Sequence, residues 1–185
     1  MLSILCPDLY VPSVCQVDLS MLAARGIRGI VFDMDNTLVD WGSSEIPAGV
    51  PAFFDDARAR GIRLCVLSNN LRKRIETVSG ALGIPAARGL KPMRSAFRAA
   101  LALLGTSPEE TAVIGDQIFT DVLGGNLAGL YTILVVPTSQ REFVTTRIVR
   151  KLERVVLDCL ARRGMLCLEG GDCRPRPGGA SRGPR

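Results

Sequence analysis

Ile27-Arg28-Gly29-Ile30-Val31-Phe32 runs directly into Asp33-Met34-Asp35-Asn36-Thr37-Leu38. The first six residues form a short apolar, β-branched stretch that suits a strand covered on both faces. Two carboxylates one residue apart then leave the strand end pointing the same way, because side chains alternate along extended backbone. The pattern recurs. Residues 62–67, 111–114 and 131–136 read as further strands, with a weaker extended piece at 86–88. Helical candidates fill the gaps at 48–60, 70–82, 93–104 and 118–128. Ser107-Pro108-Glu109-Glu110 reads as a short capped turn before the strand at 111. Regular strand–helix alternation predicts an α/β fold built on a doubly wound parallel sheet. Ligands of such sheets sit beyond the carboxyl ends of the strands, so functional residues are expected just after 32, 67, 90 and 114.

Composition narrows the chemistry. The 185 residues are 47% apolar and 22% charged, enough for a substantial core and unlike a wholly disordered chain. A single domain is expected over 1–163. Residues 164–185 are rich in Gly, Pro and Arg, a composition that builds no core, and are expected to be a disordered tail. Histidine is absent, which excludes a Ser-His-Asp triad, a Cys-His pair and His-ligated zinc. Reactions here must run on carboxylates, hydroxyls, lysine, thiols or a hard metal ion. The net charge of +5 belongs mostly to the end of the chain: residues 162–185 hold six arginines against Glu169 and Asp172, leaving +1 for the remainder. The six cysteines form no CxxC pair and no secretory signal precedes them, which disfavours a disulfide framework, and Cys65 reads as a buried thiol. No apolar run reaches the roughly 18 residues of a membrane span, so a cytoplasmic location is expected.

Each strand end carries a polar cluster. Asp33 and Asp35 form a pair that is costly without a cation, and beside a bound Mg²⁺ they can take separate nucleophile and proton-transfer roles; a solvated acidic turn is the plainer reading. Leu67-Ser68-Asn69-Asn70 places a hydroxyl and amides at the next strand end, suited to phosphate or simply to an N-cap. Lys91 stands before Pro92, where its ammonium can neutralise phosphoryl oxygens or merely face solvent. Gly115-Asp116 ends the strand at 111, with Asp121 five residues on; Gly115 permits a tight turn and Asp121 equally suits helix capping. Together Asp33, Asp35, Asp116 and Asp121 would make an oxygen-rich pocket suited to Mg²⁺ rather than zinc or copper.

Four such clusters in order resemble the haloacid dehalogenase superfamily. Its phosphatases carry Asp-x-Asp-x-Thr, a strand-end Ser or Thr, a Lys and a Gly-Asp-x-x-x-Asp-type motif. The stretches Asp33–Val39, Leu67–Asn70 and Gly115–Asn126, with Pro7-Asp8-Leu9-Tyr10 at the start, are further similar to the YqeG-type phosphatases and their eukaryotic relatives acting on phosphatidylglycerophosphate. The resemblance covers about residues 5–160. One departure is Leu127, where many relatives carry Arg. The resemblance implies that Asp33 attacks phosphorus to form an aspartyl-phosphate. Asp35 protonates the leaving oxygen and then activates water. Asp33, the Asp35 carbonyl and Asp116 hold Mg²⁺ with support from Asp121, while Ser68, with Asn69 beside it, and Lys91 bind the phosphoryl oxygens. No step needs an imidazole.

The intervals from Asp35 to Ser68 and from Ser68 to Lys91 are filled by the predicted elements, leaving no room for the cap domains of superfamily members that select small metabolites. A single capless domain with an open site is therefore expected. That suits a large phosphorylated substrate: a lipid head group, a phosphoprotein or a nucleic-acid end. A helix over 140–163 places Val144, Ile148, Leu152, Val155, Val156 and Leu160 on one face and Arg147, Arg150, Lys151, Arg154 and Arg162 on the other. Covering the sheet is its plainer role; peripheral contact with an anionic membrane is compatible with it. The tail lacks the aromatic interleaving of base-stacking segments, and no specific nucleic acid is expected. The competing reading is a non-catalytic RNA- or ribosome-associated module on the same fold, which has no need for the acid–lysine set.

Overall fold

The structure, a computed structural model, describes residues 2–69, 72–139 and 144–166. Six parallel strands are assembled: β1 (Leu9–Val11), β2 (Gly29–Phe32), β3 (Arg63–Ser68), β4 (Ala86–Arg88), β5 (Thr111–Gly115) and β6 (Tyr131–Val135). Their order across the sheet is β1-β6-β5-β2-β3-β4. β2 is flanked by β3 and β5, with Phe32 level with Val66 and Ile114. The chain winds one way from β2 and the other way from β5, so the switch point where such sheets bind ligands lies at the ends of these two strands. The expected doubly wound α/β fold is the one observed.

Period-two side chains sort the strands onto two cores. Phe32, Leu64, Val66 and Ile114 face a core completed by Phe53, Phe54, Ile75 and Val78, from α2 (Gly49–Ala59) and α3 (Arg72–Leu82). Val31, Cys65, Leu67 and Val113 face Phe97, Ala100 and Leu104, from α4 (Arg94–Leu104). Cys65 is buried as expected, and burial pushes its thiol up to about 12, too high to react as a thiolate near neutral pH. The weak segment at 86–88 is a true edge strand.

Three features depart from the sequence reading. First, there are six strands rather than four or five, because β1 is only three residues long and shows no periodicity. Side chains anchor it: the Asp8 carboxylate accepts from Thr132 N–H at 2.8 Å and from its hydroxyl at 3.0 Å. Asn126 donates to the carbonyls of Ile4 and Cys6. A further short helix, α1 (Leu19–Ala24), follows, capped by the Asp18 carboxylate. Second, the helix expected over 118–128 is divided into a π-turn, Ile118–Val122, and α5 (Leu123–Ala128). Third, α6 (Val144–Arg162) does not keep its expected faces. Leu160 is buried, but Leu152 and Val155 are exposed, while Glu153 is buried. Residues 140–143, the expected start of this helix, and 167–185, most of the expected tail, lie outside the described residues. Among the described residues no helix is long and apolar enough to cross a membrane.

The fold draws α5 tightly onto β5 and β6. A Cβ at Gly125 would lie 2.5 Å from Val113 Cγ1 and 2.7 Å from Thr132 Cγ2, so Gly125→Ala should overpack this contact and cost about 1–3 kcal/mol. Urea unfolding monitored by circular dichroism measures that loss; an unchanged midpoint would show that α5 can shift away freely.

Candidate active site

The level ends of β2, β3 and β5 bring the expected residues to one edge. Asp33 follows β2 directly, and its N–H donates to Ile114 O at 2.8 Å. Asn36 turns the chain back with φ of 58°, a left-handed conformation that Asn tolerates better than most side chains. Its backbone N–H bonds Val39 O at 2.7 Å, and its side-chain oxygen accepts from Trp41 N–H at 3.2 Å. Thr37 is buried by this turn, its hydroxyl 3.5 Å from an Asp116 oxygen. Ser68 ends β3 and is also buried. Asn69 clasps the loop after β4: its oxygen accepts from Lys91 N–H at 2.8 Å and its amide donates to Lys91 O at 3.4 Å. The structure thus gives Asn69 a supporting contact with Lys91. Pro92 precedes the next helix, α4, which starts at Arg94.

Lys91, expected near the phosphoryl group, is a buried residue aimed inward. Its ammonium pairs with Asp33 and lies 2.7 Å from Asp121 Oδ1. Burial works against its charge, yet Asp121 and Asp33 outweigh it and hold the lysine above its ordinary pKa. Gly115 is needed for close approach rather than for an unusual turn: a Cβ there would lie 2.3 Å from the Asp121 carboxyl carbon. Asp121 Oδ2 also accepts from Gln117 N–H at 3.1 Å.

Three functional residues escaped the sequence reading. Arg150 of α6, assigned to the solvent face, instead pairs with Asp116 and donates to its backbone carbonyl at 2.5 Å. Glu153, one turn on, lies 3.2 Å from Arg150 and accepts from the N–H groups of Ile118 and Phe119 at 2.6 and 3.2 Å. It thereby holds the start of the π-turn that delivers Asp121. Arg74 of α3 pairs with Asp35 and donates to Ser43 O at 2.6 Å. No local motif marks these residues; only the fold brings two helices to the strand ends.

Side-chain oxygens of Asp33, Asp116 and Asp121 lie within 4.8 Å of one another, all three residues being buried. Among the described residues, these three and Glu153 make four carboxylates against two cations paired with them, Lys91 and Arg150, a formal excess of two negative charges. The excess is felt by the acids. Burial, with Asp121 and Asp35 adding to it against Lys91, pushes Asp33 up to about 6. Burial and the charge of Asp33 raise Asp116 despite Arg150, and burial raises Glu153 despite Arg150 and its two backbone donors. An all-oxygen donor set short of two positive charges fits a hard divalent cation. The Asp35 side chain is not one of these three and pairs with Arg74.

The HAD-hydrolase-like family model matches residues 90–158. Probable phosphatase YqeG of Bacillus subtilis is 38% identical over 159 residues, 85% of this chain and 92% of the relative. The chain belongs to the YqeG-type phosphatases of the haloacid dehalogenase superfamily. A phosphatidylglycerophosphate phosphatase 1 of Arabidopsis thaliana, chloroplastic/mitochondrial, is 30% identical over 171 residues; the alignment covers 86% of this chain but 49% of that protein. An uncharacterized protein from Listeria monocytogenes shares the fold at 15% identity, with a TM-score of 0.50, 74% of this chain and 99% of that one being covered. Within this YqeG-type chain Leu127 lies half-buried on α5.

Because the buried Glu153 accepts from two backbone donors, the buried Ile118 N–H and the part-buried Phe119 N–H, Glu153→Ala should destabilise the fold by roughly 2–4 kcal/mol. Glu153→Gln keeps an acceptor oxygen and should lose less. Denaturant midpoints of the two variants check the order, and equal losses would mean that the charge rather than the acceptor matters.

Proposed function

We propose that the protein is a Mg²⁺-dependent phosphomonoester hydrolase that works through an aspartyl-phosphate on Asp33 and takes phosphatidylglycerophosphate as its substrate. The observation that carries this reading is the buried Asp33 lying against Lys91 within a group of acids short of two positive charges. Phosphoryl transfer depends on positioning and charge neutralisation, and both are supplied by groups converging on Asp33. An Asp33 oxygen attacks phosphorus while the bond to the leaving oxygen breaks, and Asp35 gives that oxygen its proton. Asp35 then takes a proton from water, whose oxygen attacks phosphorus and releases the Asp33 carboxylate and inorganic phosphate. Lys91 and Ser68 hold the phosphoryl oxygens, with Asn69 keeping Lys91 in place. Asp33, Asp116 and Asp121, with the Asp35 carbonyl, would hold Mg²⁺, which when bound supplies charge neutralisation for the phosphoryl group.

The lipid substrate is supported by the surroundings of the site. Between Asp35 and Ser68 lie a loop, α2 and most of β3, and between Ser68 and Lys91 lie α3 and β4; no cap stands over the edge among the described residues. Leu90 and Met93, on either side of Lys91-Pro92, are 65% and 57% exposed, and Trp41 and Val136 add exposed apolar surface at the same sheet edge. Such a rim suits a bilayer surface. The outward face of α6 carries Leu152 and Val155 among Lys151, Arg154 and Arg162, all exposed, and would make peripheral contact with anionic lipid. A phosphatidylglycerophosphatase is also what the Arabidopsis relative is named.

Phosphate release from a chromogenic phosphomonoester should require Mg²⁺ and should fall by about a thousandfold or more in Asp33→Asn. Equal rates in variant and wild type would remove Asp33 as nucleophile. Mg²⁺ should raise the melting temperature of the wild type, because a ligand that binds only the folded state stabilises it. Asp116→Asn should blunt that rise. For the substrate, phosphatidylglycerophosphate in vesicles should be hydrolysed in preference to phosphopeptides, and the absence of preference would leave a phosphatase of another large substrate.

A further inference from the structure

We propose that Arg74 forms a second anion subsite that reads a phosphodiester on the leaving group of the substrate; this rests on the phosphomonoesterase reading above. Arg74 is the one side chain among the described residues with a buried polar atom, Nε, that has no hydrogen-bond partner. Buried donors are nearly always satisfied, so an orphan on a cation beside a reaction site points to an acceptor that arrives from outside. The rest of the guanidinium is fixed. Nη1 bonds Asp35 Oδ1, and Nη2 donates to Ser43 O at 2.6 Å and to Asp40 O at 3.4 Å. These contacts span α3 and the loop after β2. They hold a planar, permanently charged fork at the mouth of the site, its side chain 18% exposed.

Position decides what this cation can touch. Asp33 and Lys91 define where the phosphoryl group sits, and Asp35 faces the oxygen that leaves with the alcohol. A group bonded to Asp35 therefore lies on the leaving-group side, one carboxylate beyond that oxygen. With hydrogen bonds of about 3 Å on both sides of the carboxylate, the guanidinium comes roughly 5–7 Å from the leaving oxygen. A three-carbon polyol that carries the scissile phosphate on one end and a phosphodiester on the other places its second phosphorus about 6 Å from the leaving oxygen, at about 1.5 Å per bond with tetrahedral angles. The two distances match. The unpartnered Nε–H of Arg74 can donate to a phosphate oxygen while the fixed guanidinium adds its charge, and a diester retains one negative charge with two free oxygens at any physiological pH. A substrate whose leaving alcohol is neutral offers Arg74 nothing.

Two soluble substrates separate this subsite from any effect of a lipid surface. One is glycerol 3-phosphate, with a neutral leaving alcohol. The other is the deacylated head group in which a glycerophosphodiester is joined to glycerol phosphate. Wild type should prefer the second, and Arg74→Ala should lower its kcat/KM about 30-fold, chiefly through KM. The loss with glycerol 3-phosphate should stay within about fivefold, reflecting only the contact with Asp35. Arg74→Lys should recover part of the preference. Equal losses on both substrates, or a loss confined to kcat, would show a role limited to positioning Asp35 and would overturn the subsite. Should Arg74→Ala fail to fold, as seen by its melting curve, the same comparison with Arg74→Lys and Arg74→Gln decides, since only the former keeps a cation. Wild type that releases phosphate from neither substrate in Mg²⁺ would sink the phosphatase reading itself, which a lost preference with intact turnover does not.

Discussion

Everything at the sheet edge answers to one electrostatic constraint: among the described residues, side-chain oxygens of Asp33, Asp116 and Asp121 are buried within 4.8 Å of one another, with Lys91 as the buried cation beside them and the half-buried Arg150 shared between Asp116 and the buried Glu153. Removing a charge from water costs several kcal/mol even after relaxation, and the cost is offset only where an opposite charge is well placed. The fold meets this by delivering each cation from an element far in sequence from the acid it serves. Lys91 reaches Asp33 across 58 residues, and Arg150 reaches Asp116 across 34. Burial, with the neighbouring acids adding to it, keeps Asp33 and Asp116 above their ordinary pKa values against Lys91 and Arg150, and a buried all-oxygen group of this kind fits a further positive charge.

Supporting structure can be read as the means of holding those charges in place. Asn69 ties the Lys91 backbone to the end of β3. Glu153 holds the amides of Ile118 and Phe119, so the π-turn carries Asp121 back toward Gly115, where the missing side chain makes room for it. π-turns are rare and tend to occur at functional sites, where the extra residue re-aims a side chain. Here it turns Asp121 inward against Lys91, a direction a regular α-helix starting at 118 would not impose. The cost of an irregular turn is thus linked to the placement of one carboxylate.

The sequence made the acids legible because they follow apolar runs that announce themselves by composition. Strand ends at 32, 68 and 115 are marked by abrupt changes from β-branched residues to Asp or Ser, and the parallel sheet places them side by side. Lys91 was legible for the same reason, standing at the end of a short extended segment. The arginines were not. Arg74 and Arg150 lie within helices that carry several basic residues, and helical periodicity divides faces without saying which turn meets a neighbouring loop. α6 shows this directly: hydrophobicity places Leu152 and Val155 inward, but the demand of Asp116 and the π-turn for partners rotates Arg150 and Glu153 inward instead. Buried charge pairing overrode the apolar stripe. β1 escaped for a different reason, since three residues cannot display a period and its place is set by Asp8 and Asn126 bonds that no local pattern reveals.

The basic pI of the chain, about 9.1, says little about the site, which is locally acidic. A phosphorylated substrate approaching an excess of carboxylates is repelled unless cations stand in its path. In the proposed reaction Lys91 supplies one at the phosphoryl position and Arg74 another on the leaving-group side, each already bonded to one member of the Asp33–Asp35 pair. Pairing Asp33 and Asp35 with separate cations from separate elements keeps the two carboxylates from acting as one repulsive unit, although only Met34 lies between them. In the proposed mechanism it also lets each be addressed by a different part of the substrate, the transferring phosphoryl group at one and the departing alcohol at the other. Division of labour between two neighbouring carboxylates is thus a matter of which cation each one faces, and the fold, more than the Asp-Met-Asp spacing, decides it.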